Sequence, residues 1–171
     1  ETFLDYVEKL GFREKTGIDL AGEATGIIHE LKNVGPVELA TMSFGQSFQI
    51  TPLQLMGAIS ATVNGGYLET PHIGYGIADE NGNMTEAYSN EKGEQVLSEK
   101  TSETMKTILE SVVAEGTATK AAVEGYRIGG KTATSEKLPR RSGKYIASFM
   151  TFAPVDDPQV MVFLMIDEPQ G

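Results

Sequence analysis

Apolar residues keep a helical period where the chain opens. Phe3, Val7 and Leu10 recur at that spacing, flanked by Leu4 and Tyr6, and Gly11 follows as a stop. Residues 1–10 therefore read as the tail of an amphipathic helix, which predicts that more chain precedes it. Residues 11–35 hold five glycines and no sustained period, so loop with short strand pieces is expected. Pro36 to Met42 is long enough for one or two helical turns. Thr51-Pro52-Leu53-Gln54 is a helix start: Thr51 suits the N-cap, Pro52 the first helical position, and Gln54 completes a capping box. Leu53, Met56, Ile59, Ser60 and Val63 mark one face of that helix, and Asn64-Gly65-Gly66 ends it. Residues 67–90 contain Asn81-Gly82, a hairpin signal. Met105, Ile108, Leu109, Val112 and Val113 give the clearest helix, starting at Ser98 or Thr101 and running to Glu115, where Gly116 stops it. Both helices are expected to turn these faces inward.

Beyond Gly125 the period changes to two. Tyr126–Ser135, Tyr145–Ala153 and 159–167 read as three strands of an antiparallel meander, with Pro154-Val155-Asp156-Asp157-Pro158 as a turn. Val160 to Ile166 is apolar at every position, which predicts burial on both faces. The fold class is thus α+β, with a three-strand C-terminal antiparallel meander packed with helices.

At 171 residues a single domain, or a large part of one, is the simplest organisation. Fourteen basic against twenty-four acidic residues give a net charge of −10, which argues against nucleic-acid binding. With no cysteine there is no disulfide and no thiolate metal site, and His29 and His72 are too far apart in sequence to suggest a metal pair. No cofactor or metal is implied. The longest apolar run is too short to cross a bilayer.

The densest chemistry lies in Gly125-Tyr126-Arg127-Ile128-Gly129-Gly130-Lys131-Thr132-Ala133-Thr134-Ser135. Glycines permit close approach to the backbone, lysine offers a point charge and threonine a hydroxyl, so the stretch suits a carboxylate or a phosphate. Gly125 to Thr132 fits the phosphate-loop pattern G-x-x-x-x-G-K-[ST], and Val160 to Ile166 followed by Asp167-Glu168 looks like a magnesium-holding strand. That reading needs an apolar strand before the loop and a helix after it. Thr117 to Glu124 is small and polar instead, and Pro139 arrives seven residues after Thr132 with no helical period between. The other reading puts Lys131 on a strand edge. Period two then sets Thr132 and Thr134 on one side and Lys131 on the other, its long stem able to swing toward the edge. Free N–H groups there can stabilise an oxyanion.

Several stretches resemble a known family. Gly130-Lys131-Thr132-Ala133-Thr134-Ser135 resembles the third motif, usually Lys-Thr-Gly-Thr, of penicillin-binding proteins. Met42-Ser43-Phe44-Gly45-Gln46 with Ile50-Thr51-Pro52-Leu53-Gln54-Leu55 resembles the segment before a long helix in class B members. Val113-Ala114-Glu115-Gly116-Thr117-Ala118, then Gly125-Tyr126-Arg127, resembles the lead into the third motif. The likeness continues through Ser148 to Pro154 and Asp167-Glu168-Pro169. Lys-Thr-Ala-Thr and Leu138-Pro139-Arg140 look most like sporulation-type, clostridial members.

The resemblance implies residues 1–171 are the C-terminal portion of one transpeptidase domain, two of whose five sheet strands lie outside the chain. It implies a peptidoglycan D,D-transpeptidase that acylates a serine with a stem peptide and passes the acyl group to an amine. β-Lactams would bind as substrate mimics. Lys131 would supply positive potential and aid proton transfer, Thr132 and Thr134 would hold the substrate carboxylate, and the Thr134 N–H would serve the oxyanion hole. Ala133 replaces a glycine and adds a methyl group where ligand and backbone come close. Gly45-Gln46 and Gly116-Thr117 are equally readable as structural or site-lining. The whole protein would be membrane-anchored, at the extracytoplasmic face, working with divisome or sporulation cell-wall machinery.

The family's Ser-x-x-Lys and Ser-x-Asn motifs are not legible here. Ser89-Asn90-Glu91-Lys92 fits the first literally but lies in a polar stretch, and no Ser-x-Asn occurs. The serine is therefore expected outside this chain, with the fragment alone inactive and its unpaired sheet edge prone to homodimerisation. Lys15-Thr16-Gly17 is a literal Lys-Thr-Gly expected to be loop, and Tyr6, Tyr126 and Tyr145 are expected to pack. A non-catalytic module that has lost its serine, a nucleotide binder, and a β-lactamase or carboxypeptidase stay open as alternatives.

Overall fold

The sequence signals for helix ends are met in the computed structural model, which describes residues 2–88, 92–139 and 141–170. The chain divides into two units, Glu1–Ala61 with Gly66–Leu97, and Thr62–Gly65 with Ser98–Gly171.

In the first unit, α1 spans Thr2–Lys9 and closes at Gly11, whose φ of +74° is open to glycine and whose N–H donates to Glu8 O at 2.9 Å. Helix α2, Pro36–Met42, ends on Gly45 at φ +82°, with the Gly45 and Gln46 N–H groups capping Met42 O and Thr41 O. The Gly45-Gln46 pair thus has a structural task. Helix α3 spans Pro52–Val63. Its capping box is complete: Thr51 Oγ1 accepts from Gln54 N at 3.2 Å, and Gln54 Oε1 accepts from Thr51 N at 2.9 Å. The buried Gln54 amide also donates to Phe12 O at 3.1 Å and Glu14 O at 2.7 Å, tying the irregular segment after α1 to the start of α3.

Strand β1 (Tyr67–Leu68) pairs with β4 (Glu94–Gln95), and β2 (Gly76–Ala78) with β3 (Met84–Ala87), both antiparallel. The β2–β3 turn is the one Asn81-Gly82 predicts. Asp79 Oδ1 accepts from the N–H groups of Asn81 and Asn83, and Gly82 takes φ +83°. Within the literal Ser-x-x-Lys, residues 89–91 lie outside the described residues.

The second unit is built on α4, Glu99–Ala114, whose N-cap Ser98 accepts from Thr101 N at 3.1 Å. The face it buries is the expected one at Leu109 and Val113 but is shifted around the helix elsewhere. Ser102, Lys106, Leu109 and Val113 are buried, while Ile108 is half exposed. The stripe admits a lysine because Lys106 Nζ reaches Glu103 at 2.8 Å and donates to Asp156 O at 3.2 Å, while its stem packs.

Strands β5 (Gly129–Glu136), β6 (Tyr145–Ala153) and β7 (Val160–Asp167) form an antiparallel meander in that order, with α4 packed against β5. The ladder begins at Gly129↔Phe152, three residues later than the period suggested. Gly125, at φ +84°, and a Tyr126 N–H bond to Val123 O make residues 123–126 a turn instead. Tyr126 is exposed there and is not the packing residue expected, whereas Tyr6 and Tyr145 keep more than half of their surface covered, Tyr6 beside Phe3, Val7 and Met42. The apolar run of β7 is not buried on both faces. Met161 and Phe163 share the sheet face of the buried Met150 and Phe152, whereas Val160, Val162, Leu164 and Ile166 project from the other face and are exposed. No described residues shield that face, so an unbroken apolar run reports a strand that can be covered twice, not one that is covered twice here.

Candidate functional site

Lys131, Thr132, Ala133 and Thr134 all lie in the middle of β5, an edge strand. Register sorts their side chains. Lys131 and Ala133 pair with Met150 and Ser148 on one face, and Thr132 and Thr134 with Phe149 and Ala147 on the other. Backbone direction sorts them again. Lys137 N donates to Lys144 O at 2.8 Å, so odd-numbered residues of this strand aim their amides at β6. The N–H and C=O groups of Gly130, Thr132, Thr134 and Glu136 therefore face the open edge. Lys131 Nζ donates to Thr132 O at 2.6 Å, which brings the ammonium around to that same edge. Among the described residues no carboxylate pairs with it.

One further hydroxyl reaches this edge. Thr117 Oγ1, from the turn after α4, lies 3.5 Å from Thr132 Oγ1. In the sequence Gly116-Thr117 is equally readable as structural or site-lining, with nothing to tell the two apart. Thr134, Ser135 and Ala133 are exposed, and the methyl group of Ala133 meets solvent. Both histidines lie in the other unit.

The glycine pair has a different reason from the one the sequence suggested. Gly129 and Gly130 are buried, and a Cβ on Gly129 would run into the Phe152 ring. One on Gly130 would stand 2.6 Å from Met150 O and 2.9 Å from the Phe149 ring. The pair lets β5 lie close to β6, rather than opening the backbone to a ligand.

Ion pairs hold both ends of β5. Arg127, just before it, makes a two-pronged bond to Glu110 of α4, with Nε–Oε1 and Nη2–Oε2 each 2.7 Å. Those bonds hold the Glu110 carboxyl below its ordinary pKa and raise that of Arg127. Beyond the other end, Lys137 contacts Asp167 at 2.8 Å and Glu168 at 2.9 Å, and Lys144 contacts Glu168 at 3.1 Å. Hydrogen bonds from Lys137 and then Lys144 depress Glu168, and those that Lys137 donates to Asp167 and Glu168 raise its own pKa. Arg127 and Lys137 are thus engaged by carboxylates, and Lys131 is the cation of this strand that is not.

This geometry removes the phosphate-loop reading. The chain after Lys131 continues as strand to Glu136 where a phosphate loop needs a helix, and Asp167 is held by Lys137. The decoy Lys15-Thr16-Gly17 is loop. Thr16 Oγ1 and N donate to Glu23 Oε1 at 2.6 and 2.7 Å, so its anion-binding groups already hold a carboxylate. The Thr16 hydroxyl is the main reason Glu23 titrates below its ordinary value.

Comparison with known proteins agrees with the residues. The chain is 49% identical over 177 residues to Stage V sporulation protein D of Bacillus subtilis, covering 100% of this chain and 27% of that protein. It is 32% identical over 174 residues to the probable peptidoglycan D,D-transpeptidase PenA of Neisseria meningitidis, covering 99% of this chain and 28% of that protein. The chain thus spans 27% and 28% of the lengths of these curated relatives. Among solved structures, penicillin-binding protein 3 of Mycobacterium tuberculosis superposes with a TM-score of 0.89 at 28% identity, over 99% of this chain and 40% of that one. The same protein complexed with ampicillin gives 0.88 at 27% identity, over 98% and 39%. The model of the penicillin binding protein transpeptidase domain matches residues 1–171, and the chain belongs to that family.

Proposed function

We propose that residues 1–171 are the C-terminal portion of the transpeptidase domain of a peptidoglycan D,D-transpeptidase, and that the open edge of β5 is its acyl-donor site. The observation that carries this is the convergence of the Lys131 ammonium, the Thr132 and Thr134 hydroxyls and the outward Thr134 N–H on one unpaired strand edge. Relatives bear the names peptidoglycan D,D-transpeptidase and penicillin-binding protein, and a related structure holds ampicillin.

In this reading the terminal carboxylate of a stem peptide is held by the hydroxyls of Thr132 and Thr134 in the positive potential of Lys131. A serine outside this chain bonds through its oxygen to the penultimate alanine's carbonyl carbon. The Thr134 N–H donates to the oxyanion that forms, an interaction worth about 3–4 kcal/mol of barrier when a single donor is lost. The peptide C–N bond then breaks, and terminal D-alanine leaves as the amine carrying the serine's proton. An acceptor amine attacks the ester, surrenders a proton to the serine oxygen, and leaves the cross-link. β-Lactams enter as mimics that keep the carboxylate. The Ala133 methyl narrows the approach to this edge.

The likeness to Stage V sporulation protein D favours a sporulation-type member working with the cell-wall machinery of spore formation. The whole protein would be membrane-anchored and act at the extracytoplasmic face. Among the described residues no helix is long and apolar enough to cross a membrane. The exposed side chains of β7 and the open edge of β5 favour self-association of the chain on its own.

Penicillin labelling tests the assignment. The full-length protein gains one drug mass on a serine outside residues 1–171, and the 171-residue chain gains none, because an activated nucleophile needs an adjacent base. An adduct mapped to Thr132, Thr134 or Ser135 overturns the assignment. So does a full-length protein that takes no label, which is the outcome for a module that has lost its serine. Rapid turnover of the label without cross-linking would instead mark a β-lactamase or carboxypeptidase.

A further inference from the structure

We propose that Thr117 is a further specificity-determining residue of this site, its hydroxyl joining that of Thr132 in gripping the ligand's carboxylate. The inference rests on the reading of β5 given above.

The turn that carries Thr117 is fixed on both sides. The N–H groups of Gly116 and Ala118 both donate to Val112 O at 3.1 Å. A Cβ on Gly116 would stand 2.8 Å from the Val112 Cα and carbonyl oxygen, so only glycine fits there. Ala118 is buried. Between these two anchored neighbours Thr117 itself is exposed, and its hydroxyl is delivered to the β5 edge.

The distance matters. At 3.5 Å the Thr117 and Thr132 hydroxyls are poor partners for each other, since hydroxyl bonds prefer roughly 2.7–2.8 Å. So long a contact is readily given up for a stronger acceptor, which frees both protons for it. Hydroxyls on the preceding helix behave differently: Thr104, Thr107 and Ser111 donate to the carbonyls four residues back at 2.9, 3.2 and 3.2 Å. A carboxylate has two oxygens and several lone pairs, so it accepts from both threonines at once. It would fill the gap between them, and Lys131 at the same edge compensates its charge. A neutral ester at the same place gains far less from two donors and a cation.

The test is made on the full-length protein, measuring second-order acylation by a penicillin and by its methyl ester. Losing one hydroxyl donor to a charged group slows the free acid by about tenfold to a hundredfold in Thr117→Val. The ester should change less than about threefold, and Thr117→Ser should restore the free-acid rate. Equal slowing of acid and ester, or no slowing of either, overturns the role of Thr117, as does a serine variant as slow as the valine one. Thr132→Val is the reference. If it discriminates acid from ester while Thr117→Val does not, this inference alone falls. If neither discriminates, the carboxylate reading of β5 falls with it. Should Thr117→Val not fold, Thr117→Ala takes its place under the same criteria.

Discussion

The ammonium of Lys131 lies 2.6 Å from the carbonyl oxygen of Thr132, its neighbour on β5. The side chain leaves the strand on the face of Met150, and the carbonyl points to the open edge. The bond therefore bends a lysine around its own strand to the open edge, while the side chains of Thr132 and Thr134 leave from the opposite face. A strand edge does here what a loop does in nucleotide sites: it presents one cation and several donors without an enclosing cavity.

Close approach of β5 to β6 depends on Gly129. The added methyl group of Gly129→Ala meets the Phe152 ring, and Phe152 is almost wholly buried. Overpacking of this kind costs about 1–3 kcal/mol. Urea unfolding should show that loss. The companion Ala133→Ser, at an exposed position of the same strand, should stay within about 0.5 kcal/mol. Equal losses would mean that β5 does not lie against Phe152 as described.

Ala133 points to solvent, so its methyl group crowds no protein atom that would be relieved by removing it. Ala133→Gly should cost about 0.5–1 kcal/mol through backbone entropy. Acylation of the full-length protein by penicillin should run at or above the wild-type rate, because the approach to the edge widens. A much slower variant would mean that the methyl group contacts the ligand productively.

Glu110 carries a pH dependence. The Arg127 bond lowers its folded pKa below the ordinary carboxylate value, so the unfolded chain binds this proton more readily. Its contribution to stability is present in full above the ordinary value and is lost as pH falls through the depressed one. Glu110→Gln should therefore lower the urea midpoint more at pH 7 than at pH 3, with a smaller difference in high salt. An equal effect at both pH values would mean that the charge of Glu110 contributes nothing to stability. Glu168, depressed by Lys137 and Lys144, keeps part of the acid sensitivity in that variant.

Sequence reading was most accurate where one residue type has one physical use. Thr51 with Gln54, Asn81-Gly82 and Ser98 each announce a cap or turn that local geometry alone satisfies, and each is found. The strand Tyr145–Ala153 was legible for the same reason, its period being its own. What failed depends on neighbours. The buried Lys106 and the half-exposed Ile108 follow from where Asp156 and Glu103 stand, which no period reveals. The exposed face of β7 follows from what lies beside the sheet. The glycine pair looked like room for a ligand and is room for Phe152 and Phe149. Lys131, Thr132 and Thr134 were legible as a set because alternation along a strand fixes their sides, whereas Thr117 joins them only through a turn from another element.

Four lysines precede a threonine in this chain, and two of them, Lys15 and Lys131, separate a working strand edge from a coincidence of motif. Lys131 stands at the open edge of β5, while the threonine after Lys15 is bound to Glu23 in a loop. The second-order rate of acylation of the full-length protein by a fluorescent penicillin compares them directly. The account predicts that Lys131→Ala slows acylation by about a hundredfold or more, the scale of a lost electrostatic group at a reacting centre, while Lys15→Ala leaves it within about twofold. Equal rates for the two variants would contradict it.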